Sequence, residues 1–374
     1  TGTSLSVISA GTTSGGYYGI ATRNFGTGDL IISSTNADGT AQANGGRDGI
    51  NARIYNGGVL VISANYASGS TQNGIYSYND VNGLGLAISS TGTVEGGDNG
   101  TYARNIGVGG ITILATNPDG TAQTTGDNFG ILASNYNGGA LSITADNVTG
   151  TMGDGLGIYN DLLGTSLSIT TLGDVIAGDD GIDAVNEGSG DMLVRASNPD
   201  GTASVTGADA GIIADNNNGG ALTVIADTVT GTASSAIYAT NDGAGTTVSV
   251  TTYGDILGAT NGISAFNDGT GLLSVTSSGG VNGTAGYGIY TSAGPAGATL
   301  ITLENGADVT GGINAIFNDA GDSDSYFNDG STVSQGVILN DGSDNLTIGD
   351  ADILAVTVLD GGDDSSVADG FVDV

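Results

Sequence analysis

The sequence predicts an all-β fold, a right-handed parallel β-helix or solenoid. It would have about 25–30 residues per coil, three strands per coil and an 81-residue triple-coil repeat. Three observations carry this expectation. The phrase Gly-Ile-x-Ala-x-Asn recurs, most plainly as Gly181-Ile182-Asp183-Ala184-Val185-Asn186 and Gly262-Ile263-Ser264-Ala265-Phe266-Asn267. Its last position falls at Asn24, Ile54, Asn79, Asn105, Asn135, Asn160, Asn186, Asn216, Asn241 and Asn267, spaced by 30, 25 and 26 residues in rotation. A longer period of 81 residues carries Asn36-Ala37-Asp38-Gly39-Thr40-Ala41 to Asn117-Pro118-Asp119-Gly120-Thr121-Ala122 and to Asn198-Pro199-Asp200-Gly201-Thr202-Ala203.

Each sub-repeat reads as three short strands. The first begins six or seven residues after the Asn, as at Leu30/Ile32, Leu60/Ile62, Ile111/Ile113, Leu141/Ile143, Leu167/Ile169, Leu222/Val224 and Val248/Val250. Apolar residues there alternate with polar ones, the period of a strand with one buried face. A weaker second strand surrounds Val94, Val148, Val175, Val229 and Ile256, and the Gly-Ile-x-Ala-x-Asn phrase is the third. Gly-rich turns separate them. A helical reading fails because Gly and β-branched residues dominate and no apolar stripe returns at helical spacing.

A coil of this length stacks equivalent residues about 4.8 Å apart. One Asn at the same corner of each coil then forms a column. Buried amides need partners, and stacked amides can serve one another. Asn24, Asn79, Asn105, Asn135, Asn160, Asn186, Asn216, Asn241 and Asn267 are therefore expected to form a structural ladder. Ile54 interrupts it, with Asn56 as the nearest alternative amide. The 30-residue coils carry about five extra residues in the Asn-Pro-Asp-Gly-Thr-Ala stretch, where Pro-Asp-Gly signals a turn. Loops at Asp38, Asp119 and Asp200 should project from one side in a row, three coils apart, and are the candidate binding loops. The plainer reading is an insertion tolerated at a corner and then duplicated with its unit.

Composition narrows the function. The 374 residues include 70 Gly and no Cys, with five cations against 39 acids, a net charge of −34. The cations are Arg23, Arg47, Arg53, Arg104 and Arg195. Such a charge opposes nucleic-acid binding and attachment to an anionic membrane, and no stretch is apolar enough to span a bilayer. Absent Cys excludes disulfides and thiolate zinc sites. No signal peptide is recognisable and Thr1 already stands within a repeat, as expected of a mature or excised fragment.

The acids direct attention to the corner before the third strand, where Asp127, Asp154, Asp179, Asp180 and Asp209 are expected on successive coils. Like charges at that spacing repel by about 1 kcal/mol in water and by more near a protein surface. No cofactor is required, but Ca²⁺, a hard cation, is the ion such a corner would hold. A solvated acidic corner is the plainer alternative. Gly361-Gly362-Asp363-Asp364 is a fragment of a calcium-binding repeat, without the full array.

Residues 1–320 are expected to form regular coils, and residues 321–374 less regular acidic coils that continue them. Beyond Asn267 the phrase survives as Gly288-Ile289-Tyr290 and Gly312-Ile313-Asn314-Ala315, with Ala293 in place of the Asn. Val374 ends without an evident cap, which points to truncation, head-to-tail stacking or a following domain.

The repeated Gly-Ile-x-Ala-x-Asn-x-Gly, the Leu-Ser-Ile-Thr strands and the Asn-Leu-Thr-Ile-Gly and Leu-Asp-Gly-Gly-Asp tail resemble the passenger region of bacterial autotransporters, the type V secretion family. The resemblance covers nearly the whole chain. It implies an extracellular β-helix on the bacterial cell surface, acting in adhesion or self-association, as in biofilm. Its partner would be a host or neighbouring-cell surface molecule or a second copy, with no nucleic acid and no membrane insertion by this fragment. The expected protein is not an enzyme. A polysaccharide-active β-helix lyase or hydrolase is the alternative from another class. It would need paired carboxylates, such as Asp179 or Asp180 with an acid of a neighbouring coil. Lys and His are absent, and so is Trp, which weakens a sugar platform despite 14 Tyr. A surface-layer or filament subunit stacked end to end is a third reading.

Overall fold

A computed structural model of the chain describes residues 4–294, 297–304, 306–319, 322–327, 331–339, 345–348, 353–355 and 359–360. It divides into two compact units, Thr1–Gly190 and Asp191–Val374. Both are built wholly of short parallel strands, and no helix among the described residues is long and apolar enough to cross a membrane.

The N-terminal unit makes seven laps of a three-sided parallel β-helix. Its first sheet stacks strands such as Leu30–Ser34, Val59–Ala64, Gly85–Ser90, Ile111–Ala115, Leu141–Ala145 and Leu167–Thr171. The second stacks four-residue strands such as Thr93–Gly96, Gln123–Gly126 and Asn147–Gly150. The third runs Tyr18–Asn24, Asp48–Ile54, Asn73–Asn79, Asn99–Asn105, Phe129–Asn135, Leu156–Asn160 and Ile182–Asn186. Each strand pairs with its equivalent one lap away, in the register the repeat predicts. Leu141 lies opposite Leu167, Val148 opposite Val175, and Asn135 opposite Asn160. The alternating apolar residues all turn inward. Leu30, Ile32, Leu60, Ile62, Ile111, Ile113, Leu141, Ile143, Leu167 and Ile169 are buried, as are Val94, Val148 and Val175 of the second sheet. Burial of these columns is the main driving force for the fold, at about 1.5–3 kcal/mol per large side chain.

The C-terminal unit repeats the same three-sided plan. Its first sheet contains Met192–Ala196, Leu222–Ala226, Val248–Thr252 and Leu272–Ser277, and its third contains Ile212–Asn216, Ile237–Asn241, Ile263–Asn267 and Tyr287–Ala293. One expected repeat is displaced. Ile316, not Ile313, pairs with Ile289, and Asn318 pairs with Thr291. Gly312 and Ile313 belong to the preceding corner, where Ile313 is 56% exposed, and Ala315 takes the place of Gly288. The third strand of that lap is Asn314–Asn318, so Asn318 stands one inward position short of the Asn column. Strands Asp322–Phe327, Thr332–Ser334, Val337–Leu339, Asn345–Ile348 and Ile353–Ala355 continue the sheets. The Gly361–Asp364 fragment lies outside the described residues.

Candidate binding face

The Asn column is a hydrogen-bonded ladder. In the N-terminal unit the Asn79 amide donates to Asn105 Oδ1 at 3.0 Å, Asn105 to Asn135 at 2.8 Å, Asn135 to Asn160 at 3.0 Å and Asn160 to Asn186 at 2.8 Å. In the C-terminal unit Asn216 donates to Asn241 at 3.0 Å. The same amides hold the following corner: Asn135 donates to Gly138 O and Asn267 to Gly271 O. Asn79, Asn105, Asn135, Asn160, Asn186, Asn216, Asn241 and Asn267 are fully buried, which makes them structural groups. Asn24 begins the column and bonds Gly28 O. Ile54 is also fully buried in the column, and the Asn79 Oδ1 that would accept from that position has no partner. Asn56 does not replace it; its amide donates to Phe25 O on the surface.

The loops at Asp38, Asp119 and Asp200 are exposed, as expected, and each is a pinned turn. Gly39, Gly120 and Gly201 adopt φ of 69°, 68° and 68°, the left-handed region that favours Gly. In each turn the leading Asn side chain accepts from the backbone of the Thr four residues on: Asn36 from Thr40, Asn117 from Thr121, Asn198 from Thr202. A buried side chain of the next lap ties each turn down. Asn65 Oδ1 accepts from Asn36 N, while Asp146 Oδ2 accepts from Asn117 N and Ala122 N. Asp227 Oδ2 does the same for Asn198 and Ala203. Asn65, Asp146 and Asp227 escaped the sequence reading, although they too are spaced by 81 residues.

Within the N-terminal unit the acids of this corner fall at more than one position. Asp154 and Asp180 share a position, with Asp154 Oδ1 accepting from Asp180 N at 3.2 Å. Asp127 backs instead onto Met152, whose N–H bonds the Asp127 carbonyl, and Asp179 bonds Gly153 O. Asp209 lies in the C-terminal unit, where its carbonyl accepts from Ala233 and Ser234. Phe129 and Asn99 precede Asp154 in its column, and Asn99 donates to Asn73. Burial pushes the Asp154 carboxyl up to about 6, against the Asp180 hydrogen bond and aided by Asp183, Asp180 and Asp179. In the N-terminal unit Asp179 and Asp180 bring carboxylate oxygens within 4.8 Å of each other, a pair that could share a hard cation.

The outer face of the third sheet gathers what the sequence scattered. Of the five arginines, Arg23, Arg53 and Arg104 project from this face of the N-terminal unit, with Arg47 at its edge. Arg53 stands opposite Arg23 on one side and Tyr78 on the other, and Tyr78 stands opposite Arg104. The guanidiniums lie over rings: Arg53 is 4.6 Å from the Tyr76 centroid and Arg104 is 4.9 Å from that of Tyr136. Tyr76 and Tyr102 stack at 5.2 Å and 4°, and Phe25 and Tyr55 at 4.8 Å and 7°. Burial raises the Tyr76 phenol above its ordinary value, and burial followed by the charge of Asp80 does so for Tyr78. Burial, then the charges of Asp161 and Glu187, pushes Tyr159 up to about 12. Along the adjoining corner Phe25, Val81, Leu84, Val108, Leu162 and Leu163 are each more than half exposed. An aromatic and arginine face beside exposed apolar residues has the composition of a protein-binding surface. The third sheet of the C-terminal unit also carries rings, Tyr238, Phe266, Tyr290 and Phe317, but no arginine.

A shallow depression on the second sheet is lined by Gln42, Asn44, Tyr66, Ser68, Thr93 and Glu95. It offers one carboxylate, whereas acid–base hydrolysis of a glycosidic bond ordinarily uses two. Comparison with known proteins returns no family model, no curated protein and no solved structure that matches this chain.

Proposed function

We propose that this chain is a non-enzymatic extracellular surface module, similar to an autotransporter passenger, that acts in adhesion or self-association. The observation that carries the reading is the third-sheet face of the N-terminal unit, where arginines, tyrosines and exposed apolar residues converge in a chain whose net charge is −34. The parallel β-solenoid supports the resemblance noted above, since every lap adds flat, outward-facing surface without needing a new core. Ring geometry favours contact over sugar processing. Tyr76 and Tyr102 turn their faces to each other, so their edges and phenols point outward and little ring face remains for a sugar to stack on. The test is to couple the protein to beads and measure their agglutination and their capture by bacterial and host cells. Polysaccharide digests run alongside would detect new reducing ends or unsaturated sugars. Agglutination or capture without digestion is the expected result. Digestion, or inert beads, would overturn the reading.

A further inference from the structure

We infer that the third-sheet face of the N-terminal unit is self-complementary and docks against the same face of a second copy, antiparallel, in a two-fold dimer. This rests on the adhesive reading above and specifies its partner and surface. The argument starts from charge along the chain. Residues 1–104 hold four arginines and six acids, a net −2, so −32 of the total −34 falls on the rest. On the third sheet this asymmetry becomes a gradient along one face. Its first two laps present Arg23 and Arg53, with Phe25 and Tyr55 beside them. Its middle laps present Tyr76, Tyr78, Tyr102, Leu132 and Tyr136 around Arg104. Its last two present Tyr159 with Asp161, and then Asp183 and Glu187 flanking Val185.

Among the described residues Arg23, Arg53 and Arg104 form no ion pair with the chain's own acids. Among the described residues the one ion pair joins Arg47 to Asp48 at 3.8 Å. Arg104 Nε is buried without a hydrogen-bond partner, and its guanidinium rests on Tyr136. Turning a second copy end for end about a two-fold axis between the faces sets the first lap over the seventh. Arg23 of each copy then meets Asp183 and Glu187 of the other, and the tyrosines meet at the centre. A parallel pairing would set arginine against arginine and acid against acid. An isologous interface requires that residue i meet j and j meet i, and this gradient meets that requirement. Seven laps at about 4.8 Å and strands of about five residues give a face of roughly 34 by 17 Å, or on the order of 1,100 Å² for both copies. That lies at the lower end for specific complexes, as suits a reversible contact.

Sedimentation of the whole chain tests the proposal with two charge reversals at exposed or half-exposed positions, Arg23→Glu and the pair Asp183→Arg/Glu187→Arg. Wild-type protein should dimerise, more weakly as salt rises. Each variant alone should associate at least about tenfold more weakly, since like charges then face each other at both ends. An equimolar mixture of the two variants should regain the dimer. The acid introduced by Arg23→Glu in one copy then meets the arginines introduced in the other, while the native Asp183 and Glu187 of the first meet the native Arg23 of the second. Recovery in the mixture excludes misfolding as the cause of the loss. Wild-type protein that stays monomeric, variants that associate like wild type, or a mixture that fails to recover would each overturn the inference. Beads that agglutinate or capture cells despite such a result would leave the adhesive reading standing and move its contact elsewhere.

Discussion

Replacing Asn135 with Ile tests whether the ladder holds the laps together. Asn135 is fully buried, and its amide donates to Gly138 O at 2.7 Å, Gly139 O at 3.2 Å and Asn160 Oδ1 at 3.0 Å, while its own oxygen accepts from Asn105 at 2.8 Å. Isoleucine fits such a place, as Ile54 does three laps earlier, so the substitution isolates the polar loss from a cavity. It removes all four bonds and leaves Asn160 Oδ1 without its ladder donor. Orphaned buried acceptors cost about 1–3 kcal/mol each, and the corner carbonyls of Gly138 and Gly139 lose a donor as well. The buried alkyl group returns about 1.5–3 kcal/mol. The net expectation is a loss of about 2–3 kcal/mol, concentrated in adjacent laps because stability in a solenoid is shared mainly between neighbours. Native-state hydrogen exchange is therefore the right assay. Amides of Phe129–Asn135 and Leu156–Asn160 should exchange about 30- to 150-fold faster, and those several laps away should not change. Exchange within about twofold of wild type in those strands would refute the argument, because the amide bonds would then contribute little beyond filling space.

Three further outcomes follow from the same geometry. Ile54→Asn should leave stability within about 1 kcal/mol of wild type by urea titration, although burying an amide usually costs more, because it gives Asn79 Oδ1 a donor. Gly164→Ala would place a methyl carbon 2.2 Å from Asn160 Oδ1 and should cost about 2–3 kcal/mol, while Gly39→Ala, open on all sides, should cost only the left-handed strain of about 1–2 kcal/mol. Asp154 sets a pH dependence. Its folded pKa of about 6 lies above the unfolded value of about 3.9, so its contribution is fully present below the lower value and is lost as pH rises through the upper one. Asp154→Asn, which keeps an acceptor for Asp180 N–H, should match wild type near pH 4 and exceed it by about 1–3 kcal/mol near pH 7. An equal difference at both pH values would show that the carboxyl's titration is not the cause.

The sequence alone determined the lap length, the inward columns and the Asn ladder, because each depends on one residue type returning at a fixed interval. Asn105, Asn135 and Asn160 stand above one another as their spacing alone requires, since a lap closes on itself and the strand period is two. The interruption at Ile54 was equally visible, though not that Asn56 would turn outward to Phe25. Tertiary structure decided everything that depends on a corner. Corners change length without changing composition, so Asp127 fell opposite Met152 rather than beside Asp154, and the strand expected from Gly312 moved until Ile316 paired with Ile289. The docking face was hidden for a related reason. Arg23, Arg53, Tyr76, Tyr102 and Tyr136 are spread over more than a hundred residues, and although Arg23 and Arg53, or Tyr76 and Tyr102, lie one lap apart, neither residue type holds one outward column through the unit. Inward positions must repeat, because each packs on its own kind in the next lap. Outward positions are free to vary, and only coiling the chain brings their charges and rings onto one surface.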